Sequence, residues 1–101
     1  MMQDIEEVAK KLDALGHPIR LRIVMLLAKE SRAMYLNEIA KRLDITRALA
    51  KVHLKKLEAA GIVKSKIILV EGEARALRYY ELQDFEIHLS PKILRGEKGE
   101  V

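Results

Sequence analysis

The chain has 101 residues and a mass of 11.5 kDa, which allows one compact domain. Half of the residues are hydrophobic and 34% are charged, a globular balance that argues against wholesale disorder. The absence of cysteine excludes disulfide frameworks, thiolate metal sites and cysteine nucleophiles, and it fits a reduced cytoplasmic setting.

The longest apolar run, 23–28, is six residues long, far below the roughly 18 needed to span a bilayer, so no membrane partner is expected. The first seven residues have neither a basic n-region nor an apolar h-region, and no secretory signal is expected. Side-chain amides are confined to Gln3, Asn37 and Gln83, whereas Lys, Glu, Ile and Leu abound; that composition points to a hot environment.

The net charge is +4, and its distribution is uneven. Residues 41–66 hold eight Lys or Arg against two acids, Asp44 and Glu58, a local charge of +6. The rest of the chain holds 11 basic and 13 acidic residues, or −2. The whole positive surplus lies in one quarter of the sequence. Such a run is often only a solvated face, but in a small basic domain it favours an anionic partner, nucleic acid first.

Asp4 and Glu7 form a D-x-x-E capping box, and Ile5, Val8, Leu12 and Leu15 recur at helical spacing until Gly16. Pro18 suits the first turn of a second helix, 18–29, which is apolar around most of its circumference and is expected to be the buried centre. A turn at Ser31-Arg32 and a brief extended segment at 34–36 follow. Asn37 is expected to cap a short helix, 38–43. After a three-residue turn, Thr46 caps a helix that runs to Ala60, where Gly61 stops it as Gly16 stops the first. Two helices joined by so tight a turn form a helix-turn-helix. Beyond Gly61 the pattern becomes extended. Strands at 62–70 and 74–82 around Glu71-Gly72-Glu73 form a hairpin. Phe85, Ile87 and Leu89 alternate with polar residues and predict a further strand, interrupted by Pro91, with a frayed tail at 96–101.

The helix from Thr46 has two unlike faces. Ala50, Leu54 and Leu57 share one, which must pack inward. Ala48, Lys51, Val52, Lys55 and Ala59 occupy the other. Cations suit phosphate and guanine, and small apolar groups suit thymine methyls, so this mixture fits a DNA major groove. Arg47, in the first turn, is where such a helix meets base edges. Lys56 adds to the same positive surface. On the hairpin, Lys64, Lys66, Arg75 and Arg78 are suited to phosphates or the minor groove.

Four stretches, in three groups, carry a resemblance. The first is Leu12-Asp13-Ala14-Leu15-Gly16-His17-Pro18-Ile19-Arg20-Leu21-Arg22-Ile23. The second is Leu36-Asn37-Glu38-Ile39-Ala40-Lys41-Arg42-Leu43 together with Val52-His53-Leu54-Lys55-Lys56-Leu57-Glu58-Ala59-Ala60-Gly61-Ile62-Val63. The third is Arg78-Tyr79-Tyr80-Glu81-Leu82. In this order and spacing the chain resembles the ArsR-like winged helix-turn-helix transcriptional regulators, over about 70 residues. The resemblance implies a mainly α fold with a β-hairpin wing (α+β) and a DNA-binding regulator acting as a repressor. It also implies that His53, a position where the family has histidine, packs or bonds a phosphate. Metal-sensing members carry a cysteine motif or His and carboxylate ligands on a C-terminal helix. This sequence lacks the first, and its C-terminal segment reads as a strand. Hydroxyl and amide residues common at the start of the family's recognition helix are replaced by Arg47, Ala48 and Leu49, so neither operator nor effector carries over.

No cofactor and no metal is expected. His17 reads as a capping residue, and Glu86 with His88 make an i, i+2 pair that lacks further ligands. Residues 1–90 are taken as the DNA-binding domain, with dimerisation elements at 1–16 and 83–95. A homodimer interface is expected from Ile5, Val8 and Leu12 and from Phe85, Ile87, Leu89, Ile93 and Leu94. Two alternatives stand beside this reading: a sequence-indifferent architectural DNA protein, which the charge tally alone does not exclude, and a winged-helix protein-interaction module, which calls for an apolar patch where the basic face lies. An enzyme finds no nucleophile–base pair, no paired carboxylates in an apolar setting and no Gly-rich phosphate loop. Titration with zinc, cadmium or arsenite is expected to leave both DNA affinity and melting temperature unchanged. A tight, stoichiometric ion that releases the protein from DNA would overturn this.

Overall fold

A computed structural model describes residues 4–72 and 75–96. The elements in chain order are α1 (Ile5–Leu15), α2 (Pro18–Glu30), β1 (Met34–Tyr35), α3 (Leu36–Arg42), α4 (Arg47–Ala59), β2 (Val63–Leu69), β3 (Ala76–Leu82) and α5 (Pro91–Leu94). The three strands form one antiparallel sheet in the order β1-β3-β2. Val63 pairs with Leu82 and Leu69 with Ala76, so the hairpin register holds over the whole of both strands. β1 adds two pairs, Met34 with Tyr80 and Tyr35 with Tyr79, and closes the sheet against the helices.

The elements form where local chemistry places them. Asp4 caps α1 by accepting from the Glu6 amide at 2.9 Å. Glu7 does not close a capping box; it pairs with Lys11 one turn on, at 3.6 Å. His17 caps α2, its Nδ1 accepting from the Ile19 amide at 3.1 Å ahead of Pro18. The turn between α3 and α4 contains Asp44 in the left-handed region (φ 56°), which a short polar side chain tolerates. Gly61 ends α4 at φ +76°, where only glycine is unstrained. Gly16 does not act in the same way: its φ is −80°, and glycine is suited there because an added Cβ would lie 3.0 Å from the Leu12 carbonyl oxygen.

The core lies where α2, α3, α4 and the sheet meet. Ile23, Leu27, Met34, Leu36, Ile39, Leu54, Leu57, Ile62 and Val63 are its largest fully buried side chains. Each removes enough apolar surface to contribute about 2 kcal/mol. At the end of α2, Glu30 and Glu38 share Arg32 and Arg42 in a four-member ion-pair network that ties α2 to α3. Arg42 first and then Arg32 hold the Glu30 carboxyl below the usual carboxylate range.

Three further expectations are corrected. Asn37 is not the cap of α3: the helix begins a residue earlier, at Leu36, after Tyr35, which makes no side-chain cap bond. α2 is not buried around most of its circumference, because Leu21 and Met25 are exposed, at 45% and 66%; α1, α4 and β3 cover only the opposite side. Residues 83–90 form no strand among the described residues. The segment follows β3, which already has a neighbour on each side, and runs without regular structure until Ser90 caps the four-residue α5. Phe85 is half-buried against its own core. The expected tail, apart from Gly96, and the second half of the hairpin turn lie outside the described residues.

A polar node fastens α1 and α2 to α4. The Arg20 guanidinium donates from Nε to the Ala14 carbonyl (2.6 Å), from Nη2 to the Asp13 carbonyl (3.3 Å) and from Nη1 to Nδ1 of His53 (3.0 Å). The His17 ring lies 4.5 Å from that of His53. Lys56 of α4 completes the link with an ion pair to Asp13, at 3.0 Å. Arginine has only donors, so His53 Nδ1 accepts and must be unprotonated. Burial, then the nearby His17 and Arg20, lower the His53 pKa below its ordinary value. The unfolded chain therefore takes up a proton that the folded chain resists. Stability is fully present above the ordinary imidazole pKa of about 6.5 and falls as the pH drops through and below it. Asp13, Glu30 and Glu38 are held below the usual carboxylate range by their cations and keep their charge across this window. The melting temperature is expected to fall between about pH 7 and about pH 5, and His53→Gln is expected to flatten that slope. An unchanged slope in the variant would place the titrating group elsewhere.

Candidate nucleic-acid interface

α4 is anchored from behind and bare in front. Thr46 starts it, its Oγ1 accepting from the Leu49 amide at 3.0 Å. Ala50, Leu54 and Leu57, all at 0% exposure, lock the inner face. The outer face carries Arg47, Ala48, Lys51, Val52 and Lys55, all exposed, with Val52 at 64%. A valine left in water among lysines gains nothing for the isolated chain. The first turn has no acidic residue and carries a cation where the helix dipole is already positive. Both features cost stability locally, and both suit an anionic partner that presents apolar groups as well.

Not every expected residue joins this face. His53 is corrected: it is only 6% exposed, lies on the inner side of α4 and is bonded to Arg20, so it faces the core and not a phosphate. Lys56 points to α1, its ammonium held by Asp13. The outer face is therefore narrower than the run of basic residues in sequence.

The wing cations divide between two sides of the hairpin. In the register, Arg78 shares a side with Ser65 and Val63, whereas Lys64 and Lys66 lie on the opposite side. Arg78 donates to Ser65 Oγ at 3.0 Å, and that hydroxyl donates to Glu58 of α4 at 2.8 Å. This relay fixes the wing to the last turns of α4. Lys64, Lys66 and Arg75 are exposed. The Tyr80 phenol is buried at the base of the wing, and burial raises its pKa against the opposing effect of Arg78.

The expected dimer residues are uneven in exposure. Ile5 (76%), Leu94 (71%), Leu89 and Leu12 are exposed, whereas Val8, Ile87, Ile93 and Phe85 are half-buried. Three residues were not singled out by sequence reasoning. Leu21 and Met25 look like core residues in an apolar helix, and Arg20 looks like an ordinary surface cation; only the packing of α1 against α2 and α4 distinguishes them. Among the described residues no group of three His, Asp or Glu converges as a metal site. His88 and Glu86 approach each other to 3.6 Å on an exposed segment.

A tight two-helix unit, a hairpin wing and an outward basic face on the second helix define a winged helix-turn-helix DNA-binding domain. Residues 15–66 match the Helix-turn-helix domain family. An HTH-type transcriptional regulator of Methanocaldococcus jannaschii is 37% identical over 89 residues, covering 88% of this chain and 90% of its own. The homodimeric winged helix-turn-helix DNA-binding domain of a possible ArsR-family transcriptional regulator from Mycobacterium bovis has a similar fold. It superposes with a TM-score of 0.64 at 27% identity, over 77% of this chain and 65% of its own. The transcriptional repressor BigR of Xylella fastidiosa gives a TM-score of 0.63 at 25% identity, over 78% and 72%. The chain belongs to the ArsR-like winged helix-turn-helix transcriptional regulators. It is a DNA-binding transcription regulator.

Proposed function

We propose that the chain is a homodimeric repressor of the cytoplasm that reads double-stranded operator DNA. The outer face of α4 enters the major groove, and the wing contacts the flanking backbone. The observation that carries this reading is the exposed set Arg47, Ala48, Lys51, Val52 and Lys55 on a helix whose other side is wholly buried. Arg47 reads a base edge; Lys51 and Lys55 hold phosphates; Ala48 and Val52 meet thymine methyls. Thr46 presents its hydroxyl hydrogen to the backbone, and Lys64, Lys66 and Arg75 extend the phosphate contacts along the hairpin. No cofactor or metal takes part.

Lys51→Ala and Lys55→Ala are each expected to weaken binding and to lower the slope of log affinity against log salt by about 0.9. The sequence to use is one selected by the chain from a random duplex pool and located by footprinting. Unchanged affinity and slope in both variants would show that this face does not meet DNA. Equal affinity for the selected site and for random duplex would make the protein architectural instead.

Dimerisation rests on three observations: exposed Ile5, Leu12, Leu89 and Leu94, the geometric need for two reading helices about 34 Å apart, and the homodimeric state of the Mycobacterium bovis relative. Repression is the role of the Xylella fastidiosa relative, and a dimer seated on a promoter accounts for it by occlusion. Because Phe85 packs on the core, truncation after residue 82 would damage the fold, and paired substitution is the cleaner test. Sedimentation at micromolar concentration is expected to give about twice 11.5 kDa. Leu12→Asp with Leu89→Asp is expected to give the monomer mass, with far weaker binding to a palindromic site. A monomer mass for the unaltered chain would refute the dimer.

A further inference from the structure

Arg47 is held from outside its own helix. Its Nε donates to Oδ1 of Asn37, 2.7 Å away in the first turn of α3. Donor counting fixes which amide atom faces it: a guanidinium has five N–H groups and no acceptor, so only the amide oxygen can lie there. The backbone at Asn37 is itself fixed, because Leu36, Ile39 and Ala40 of the same short helix are buried in the core.

 The exposure of Leu36, Ile39 and Ala40 is 5% or less. Both Asn37 and Arg47 remain exposed, so the bond between them leaves the guanidinium open to a ligand.

With Nε taken, the donors left are the two Nη groups at the end of the fork, and among the described residues neither has a hydrogen-bond partner. A planar group fixed at Nε presents those two ends side by side. In the major groove, guanine presents two acceptors side by side, O6 and N7, and no other base edge offers that pair. A long cation at the first turn of α4 is disfavoured by the helix dipole, and a free arginine would also lose rotamer freedom on binding. The Asn37 bond orders the side chain beforehand, at a position where that order serves contact with a base.

We propose that Asn37 is a positioning residue for base recognition, holding the Arg47 guanidinium so that its two Nη groups meet O6 and N7 of a guanine. This rests on the reading of the outer face of α4 as the DNA face. A base other than guanine then leaves fixed donors without acceptors, and discrimination is sharper than a mobile arginine would give. Asn37 touches Arg47 and need not touch the base.

The test uses the full chain and the duplex it selects from a random pool, together with duplexes in which each selected guanine is replaced in turn. The unaltered chain is expected to lose on the order of tenfold in affinity when the guanine read by Arg47 is replaced. Arg47→Ala is expected to abolish that loss at one base pair. Asn37→Ala is expected to shrink it to about threefold or less, with the salt slope and the melting temperature of the free protein unchanged, since no phosphate contact and no core contact is removed. Asn37→Asp keeps the acceptor. It is expected to retain the discrimination ratio even though its added charge lowers affinity for every duplex. If Arg47→Ala abolishes the preference and Asn37→Ala retains it in full, the positioning role is overturned while the DNA face stands. If neither Arg47→Ala nor Lys51→Ala alters binding to any duplex, the DNA face itself is wrong, and the proposal falls with it.

Discussion

The structure depends on the burial of one side of α4. Ala50, Leu54 and Leu57 are removed from water by α2, α3 and the sheet, and each leucine contributes about 2 kcal/mol to holding the helix in place. That seam lets the opposite side remain unsatisfied. An exposed valine and a cation at the positive end of the helix dipole are local losses, and a helix held only by its own propensity would tolerate them poorly. Rigidity on one side and unspent contacts on the other are aspects of a single arrangement.

The same seam transmits position. Arg20 joins the carbonyls of Asp13 and Ala14, at the end of α1, to His53 in the middle of α4, and Lys56 repeats the link from α4 to Asp13. α1 and α4 are therefore tied to each other at two points. At the other end, Arg78, Ser65 and Glu58 tie the wing to the last turns of α4. The reading helix is thus fixed to the arm that carries Ile5 and Leu12 and to the hairpin that flanks it. In the proposed dimer, the separation of two such helices is set by the interface, because little slack lies between interface and reading face.

The sequence displayed most of this fold and less of the site. Periodicity and caps located every helix up to Gly61, since Asp4, Thr46, Pro18 and the glycines act locally, within a turn of their own position. The hairpin was legible for the same reason. The parts that failed depend on tertiary partners. Asn37 has a capping residue's chemistry, yet its oxygen bonds Arg47, a contact spanning ten residues that no local pattern records. His53 shares its helix with outward lysines, but the 100° step puts it beside Leu54 and Leu57, and Arg20 supplies the donor that burial demands. Phe85, Ile87 and Leu89 alternate as a strand does, but alternation does not supply the partner strand that a ladder needs, and β3, which the segment follows, is already paired on both sides. Leu21 and Met25 satisfy the pattern of a buried helix, because periodicity reports apolar faces and not what covers them.

What covers those faces follows from shape. The radius of gyration is 16.2 Å, against about 13 Å for a compact chain of this length. The longest dimension, 57 Å, is more than twice either of the others. An elongated chain of about 100 residues has a large surface for its volume and leaves more of its apolar side chains in water than a compact one would. Here the apolar residues left in water include Ile5, Leu12, Leu21, Met25, Leu89 and Leu94, which belong to α1, to α2 and to the segment that follows the wing. Leu49 and Val52 of α4 and Ile67, Ile68 and Leu69 of the wing are exposed as well, but the first six lie on neither element. Reading a palindromic site requires a second copy joined away from the DNA face, and burying these side chains also requires a partner away from that face. In the proposed dimer one second copy meets both demands. The surface that makes the single chain poorly compact is then the surface that gives the regulator its two-fold symmetry.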